Sequence, residues 1–255
     1  MRFHTVAFSE TITTASLTGL VTPVIDNTVT INGDNLLVPA ATNQLFAAAP
    51  FATAGAGPVS AQLQSPSLRQ MWFPNATPVQ VGATLDANEH VFEVFDNPVN
   101  LETNEGLNLS LTTTGQALIG QQGAIVFLCD GARAPVKSSR IFTMRTTAAI
   151  TLAANSWVNG PLTFDQPLPV SDYDVVGMRA EGTGLLAARL VFVGTSAVTR
   201  PGCPGNANAT NRDLIEFRLG KLGVWGTFNS LTPPSVDCIG ATGTAQTIYL
   251  DLVKR

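Results

Sequence analysis

A chain of 255 residues, 45% hydrophobic and only 13% charged, has room for one large β-domain or two smaller ones. Its charged share is about half that of an ordinary soluble domain. Either the surface is covered by Thr, Ser, Asn and Gln, or much of it is buried against other subunits. Net charge is −4, and neither MRFHTVAF nor LVKR at the ends forms a Lys/Arg-rich arm, so no direct nucleic-acid binding is expected.

Residues 3–40 read as short strands: FHTVAF, ASLTGLVTPV, TVTING and NLLVPA, rich in Thr and Val. Asn32-Gly33-Asp34 joins the last two as a hairpin turn. Two short helices are expected next. Asn43 is placed to cap QLFAAA, ended by Pro50, and Ser65 to cap a turn with Pro66 at its first position that stops before Pro74. Between them FATAGAGPVS reads as a small-residue loop. Strands resume at TPVQV (77–81), HVFEVF (90–95), LNLSLTTT (107–114) and GAIVFLCD (123–130).

GARAPVKSS (131–139) reads as a linker. The charge changes sign there. Residues 1–130 hold two basic and ten acidic residues, net −8, and residues 131–255 hold twelve and eight, net +4. Such asymmetry suggests two domains that face different surroundings or face each other.

In the second half RIFTMRTTAAITL, PLTF, DYDVVGMRA and LLAARLVFVG (185–194) read as strands. RPGCPGNANATN reads as a loop, and Asn211 as the cap of a helix over RDLIEFRL ended by Gly220. LGVWGTF and TIYLDLV (247–253) close the chain, separated by a Pro-Pro and Gly-rich segment. LLAARLVFVG has the length and glycine bounds of a buried inner strand. Arg189 is its one anomaly and needs an acidic or carbonyl partner, or a strand end at solvent.

Two internal repeats compete. Phe95-Asp96-Asn97-Pro98 resembles Phe164-Asp165-Gln166-Pro167, and Val126-Phe127 resembles Val191-Phe192. Alternatively Phe127 aligns with Tyr249, at about half the chain.

Nothing catalytic stands out. His4 and His90 lack metal-ligand spacing and read as structural or surface histidines. The close carboxylate pairs are Glu93 with Asp96, and Asp172 with Asp174. The latter share a strand face and could hold Ca²⁺ or a sugar, with a solvated strand start as the plainer reading. Trp72, Trp157 and Trp225 read as core or interface packing rather than a sugar platform. Cys129, Cys203 and Cys238 read as packed thiols of a reducing compartment. The triplets at Asn75, Asn108 and Asn208 read as chance, since no secretory signal precedes them. No catalytic, cofactor or metal site is expected, and no cofactor.

The two β-rich halves around GARAPVKSS, the helix expected after NANATN and the low-charge Thr/Ala/Gly/Val composition together resemble the double jelly-roll major capsid proteins of internal-membrane bacteriophages and adenovirus hexon. The resemblance implies an all-β fold of two jelly-roll sandwiches in tandem, 1–131 and 132–255, with a few short helices. It implies a structural role without enzymatic activity, as homotrimers that contact neighbouring capsomers and other capsid proteins over an internal membrane. It places the protein in the virion, assembled in the host cytoplasm. The rival expectations are a receptor-binding or carbohydrate-binding β-sandwich, and a glycoside-active domain using Asp172 and Asp174.

Overall fold

The structure, a computed structural model, describes residues 1–12, 18–52, 59–68, 71–72, 92–113, 120–194, 199–207 and 214–255. The N-terminal half runs through β1 (Phe3–Ile12), β2 (Thr18–Val21), β3 (Thr30–Asn32), β4 (Asn35–Leu37), β5 (Gln44–Ala52) and β6 (Val59–Gln64). It continues with β7 (Met71–Trp72), β8 (Phe92–Glu93), β9 (Val99–Asn100), β10 (Gly106–Thr113) and β11 (Gly120–Cys129). The C-terminal half holds β12 (Phe142–Ala148), β13 (Val158–Pro161), β14 (Thr163–Phe164), β15 (Asp172–Glu181) and β16 (Leu185–Val191). It ends with β17 (Gly202–Asn206), a single 3₁₀ turn at Ile215–Phe217, β18 (Gly226–Asn229), β19 (Ser235–Gly240) and β20 (Gln246–Lys254).

The strand order defines the architecture. In the N-terminal half β1-β11-β5-β8 form one sheet, and β2, β10, β6 and β7 pair in sequence in the other. With the β3–β4 hairpin and β9 set aside, the remaining strands numbered one to eight give the orders 1-8-3-6 and 2-7-4-5. The C-terminal half, with β14 set aside, gives the same pair: β12-β20-β15-β18 and β13-β19-β16-β17. Two four-stranded layers in that order are a jelly roll, and this chain contains two. In the second, β17 also meets β15 through two parallel pairs, Ala180–Gly205 and Glu181–Asn206, which join its layers at one edge.

Several sequence expectations are corrected. QLFAAA is no helix but part of β5, which lies between β11 and the short strands β8 and β9. Pro50 does not end it, because the pairing to β11 runs on through Pro50 to Phe51 and Ala52. Ser65 does accept the Leu68 N–H at 3.1 Å, as a cap would. The described turn, residues 66–68, is not helical, and the chain re-enters a sheet at Met71. Of the helix expected over RDLIEFRL, the described part from Leu214 onward forms only the 3₁₀ turn Ile215–Phe217. Asn211, like the strand expected at 77–81, lies outside the described residues.

The loop RPGCPGNANATN contains β17, and the Pro-Pro and Gly-rich segment contains β19. These are the strands that the second half otherwise lacks. β17 carries no β-former because it has no room for one. A Cβ on Gly202 would lie 2.3 Å from the Ala188 carbonyl oxygen, and one on Gly205 2.7 Å from Leu185.

Two apolar cores result. One fills the N-terminal sandwich, with Val6, Phe8, Leu45, Val126 and Leu128 facing Leu36, Leu63, Leu107 and Leu109. The other fills the C-terminal sandwich and continues onto the opposite face of β1, β5 and β11 through Phe3, Phe46, Phe51, Ile125 and Phe127. Alternate residues of one sheet therefore serve different cores, and that sheet is buried on both faces. Such strands read as continuous apolar runs. GARAPVKSS bridges β11 and β12 as irregular chain but is pinned, with the Val136 N–H donating to the Gly220 carbonyl at 2.8 Å.

Candidate functional site

The densest polar constellation among the described residues lies at the seam between the sandwiches, around Arg189. β16 runs between β19 and β17 and carries Arg189 into the interior, where its side chain is wholly buried. Its Nε donates to Asp237 Oδ2 at 3.0 Å, and its Nη1 donates to the Thr5 carbonyl at 2.8 Å. Nη2 stands 2.7 Å from Asp26 Oδ2, a close charge contact without hydrogen-bond alignment. The guanidinium also lies 4.1 Å from the centre of the Trp157 ring.

Asp237 is shared. Arg200 Nη1 donates to its Oδ2 at 2.6 Å, and Asn159 Nδ2 to its Oδ1 at 2.8 Å. Two arginines thus face two aspartates, and the cluster is neutral as a whole. Burial lowers the Arg189 pKa against the pull of Asp26 and Asp237. An arginine starts so high that it stays charged. Burial would raise Asp26, but Arg189 and hydrogen bonds from Thr28 outweigh it and hold the carboxylate below its ordinary value.

His4, on β1, completes the network. Its Nδ1 accepts the Arg200 backbone N–H at 2.8 Å, and its Nε2 lies 3.0 Å from Thr28 Oγ1. Thr28 Oγ1 in turn donates to Asp26 Oδ1. An acceptor at Nδ1 requires the neutral ring with its proton on Nε2. Burial first, then the positive charge of Arg189, pushes the His4 pKa down to about 3. The same residues cover the free edge of β1. Thr5 N–H donates to the Arg200 carbonyl at 2.9 Å, and beyond it Ala7 and Ser9 bond to Val24 and Thr22. The Thr5 N–H and carbonyl, the Ala7 carbonyl and the Ser9 N–H are thus taken up, which leaves less of this edge to recruit a foreign strand.

A second polar post fixes the segment that carries the seam's aromatics. Asp251, buried on β20, accepts two bonds from Arg218, at 2.7 and 3.0 Å, one from Thr143 Oγ1 at 2.6 Å and one from the Leu219 N–H at 2.8 Å. Burial would raise its pKa, but these donors hold it below the usual carboxylate value. The anchored segment presents Phe217 to Phe127 at 5.0 Å and Trp225 to Phe3 at 4.8 Å between ring centres. Arg133, from the linker, bridges Asp96 and Glu216. Acidic residues of the first half (Asp26, Asp96) therefore meet basic residues after position 130 (Arg189, Arg133), so part of the charge asymmetry is spent at the seam.

The residues singled out in the sequence are scattered. Asp172 and Asp174 do share a face of β15, but each is occupied. Asn229 Nδ2 donates to Asp172 at 2.8 Å, and Thr227 and Arg255 donate to Asp174 at 2.6 and 2.8 Å. Trp157 lies under Arg189 and Trp225 against Phe3, so these two form no platform; the side chains of Trp72 and Glu93 lie outside the described part, as do His90, Asn75 and Asn208. Asn108 is on β10 and bonded to Asn35. The three cysteines are buried thiols outside any disulfide. Burial raises Cys129 to about 11 and raises Cys238 as well, which suits packing rather than reactivity. Among the described residues no group of three His, Cys, Asp or Glu side chains is placed to hold a metal. The sequence left Asp26 and Asp237 unmarked; the signal that led to them was Arg189, a charge inside an apolar strand.

No family model matches this chain, and no curated protein matches it. Among solved structures it is similar to the major capsid protein P2 from bacteriophage PM2, at 11% identity and a TM-score of 0.23, over 94% of this chain and 98% of that one.

Proposed function

We propose that this chain is a structural subunit of a viral capsid that works by self-assembly, without catalysis. Residues 1–131 and 132–255 are its two jelly-roll domains. The observation that carries the reading is the repeated strand order, two jelly rolls of 1-8-3-6 and 2-7-4-5 in one chain, because jelly rolls are a building unit of viral shells. The apolar seam and the neutral Arg189 cluster suit a rigid pair of rolls. Three such pairs would make a six-roll, pseudo-hexagonal tile. The partners are then copies of this chain, neighbouring capsomers, other shell proteins and an internal membrane beneath them. The place of action is the virion, after assembly in the host cytoplasm.

Exposed apolar side chains supply surface for assembly to cover. Ile25, Val170, Val193 and Leu231 are 77, 71, 70 and 72% exposed. Val170 and Leu231 flank Ser171 and Ser230, which bond to each other. Sedimentation and electron microscopy of the purified chain test the reading. The expected species has three times the 26.8 kDa chain mass, or is a closed shell, and Val170→Asp with Leu231→Asp reduces it to single chains of unchanged melting temperature. A chain that stays monomeric at high concentration would overturn the proposal.

A further inference from the structure

We propose that a cleft on the outer face of the N-terminal sandwich binds a neutral carbohydrate. The cleft is an open depression of about 650 Å³, within the volume range of small-molecule sites, where β3, β4, β10 and β6 run side by side. Among the described residues its polar lining is Asn32, Asn35, Gln64, Ser65, Asn104 and Asn108, and none of the described lining residues is ionisable. The groove over the seam, by contrast, is lined by Asp26, Arg189, Arg200 and Asp237.

The missing charge selects the ligand class. Among the described lining residues there is no cation to take a phosphate or carboxylate, and no carboxylate to take a metal ion or an amine. A carboxamide carries a donor and an acceptor side by side. A sugar hydroxyl both donates and accepts, so adjacent hydroxyls match a row of carboxamides.

The amides are there by strand alternation. On β10 Leu107, Leu109 and Leu111 point into the core, so Asn108 points outward. Asn108 Nδ2 donates to Asn35 Oδ1 at 3.0 Å, and Asn35 Nδ2 lies 3.4 Å from the Asn32 carbonyl. That relay leaves Asn108 Oδ1 shielded from solvent with no hydrogen-bond partner among the described residues. Leaving such an acceptor unpaired is costly, and a hydroxyl donor in the cleft satisfies it once the part-exposed Asn108 amide turns toward the ligand. Gly106 keeps the floor low, since a Cβ there would come within 3.0–3.2 Å of the Asn35 side chain. The inference does not rest on the assembly reading, because the cleft is complete in one chain.

The test is a titration of the full chain, followed by protein-observed NMR, with glucose, galactose, mannose, N-acetylglucosamine, lactose and maltotriose, and with sialyllactose as the charged comparison. At least one neutral sugar is expected to bind with a Kd of about 1 mM or tighter. Asn108→Ala is expected to weaken it about tenfold at an unchanged melting temperature, while Arg145→Ala, on the other sandwich, binds as the unsubstituted chain does. Should Asn108→Ala melt lower, Gln64→Ala in the same lining takes its place with the same expectation. Binding of none of the six neutral sugars, binding of sialyllactose alone, or full affinity in the substituted cleft would each overturn the proposal.

Discussion

The sheets β1-β11-β5 and β12-β20-β15 have the same place in their respective jelly rolls, yet their outward faces differ in chemistry. On the first, Phe3, Phe46, Ile125 and Phe127 face outward and are buried by the other sandwich. On the second, Arg145, Arg179, Glu181 and Tyr249 face outward and remain at least partly in water, tied by Arg179–Glu181 and by Tyr249 Oη donating to Glu181 at 2.8 Å. One topology thus carries two surface programmes. The strand order sets the sandwich, and the outward residues decide which sandwich is covered. Part of the low charge of the chain is explained this way, within a single subunit.

The largest effect is expected where the covered face meets charge. Arg189→Met leaves Asp26 without its ion-pair partner, and the Thr5 carbonyl loses its donor. Breaking a buried pair from one side costs about 3–5 kcal/mol, which urea unfolding should read directly. A change under about 1 kcal/mol would mean that the cluster does not hold the seam.

The second test compares equivalent positions. Phe127 and Tyr249 occupy matching central strands, β11 and β20, on the outward side. Phe127 packs on Phe46 and Phe217, so Phe127→Ala should cost about 3–5 kcal/mol. Tyr249 is half-exposed, and Tyr249→Ala should cost about 1 kcal/mol or less by the same measurement. Equal losses would erase the distinction between the two faces.

That pairing also shows what the sequence could and could not convey. The alignment of Phe127 with Tyr249 matches the strand order, whereas the better-lettered repeats do not: Phe164 lies on β14 and Val191 on β16, neither equivalent to the strands around Phe95 or Val126. LLAARLVFVG was readable as an inner strand, and Arg189 as a residue in need of an acid or a carbonyl; it has both. β5 was not readable, because burial on two faces removes the period-two signal. β17 and β19 were hidden by Gly and Pro, which are chosen there for close backbone approach or tolerated by pairing. Asp26 and Asp237 could not be matched to Arg189, since long-range pairing leaves no local mark. The carboxamide cleft was equally silent, because its residues come from four strands and the loops beside them.

Acid should weaken the covered face before the open one. His4 is neutral in the fold, with a pKa near 3 against 6.5 for the free side chain, so the unfolded chain binds the extra proton first. Stability therefore rises with pH across the window from about 3 to 6.5. Between pH 6.5 and 4.5 the loss on acidification is about 2–3 kcal/mol. Asp26 and Asp251, whose folded values lie below the ordinary carboxylate value, act in the same direction but only at lower pH. Urea midpoints at pH 7 and 4.5 check this: His4→Gln, whatever its own cost at pH 7, should flatten the difference, and an unchanged slope would remove His4 as its source.

The smallest effect is expected on the open face. Arg145 lies 2.8 Å from Asp165, but the two side chains are 52 and 35% exposed, and hydrogen bonding to Asp165, then its charge, raises the Arg145 pKa. Water competes for both groups and salt screens them, so such a pair adds little to stability. Arg145→Ala should leave the melting temperature unchanged at physiological salt. A clear drop would mean that the outward face of β12-β20-β15 is held by its ion pairs much as the other face is held by its seam, and the contrast between the two sheets would lose its physical basis.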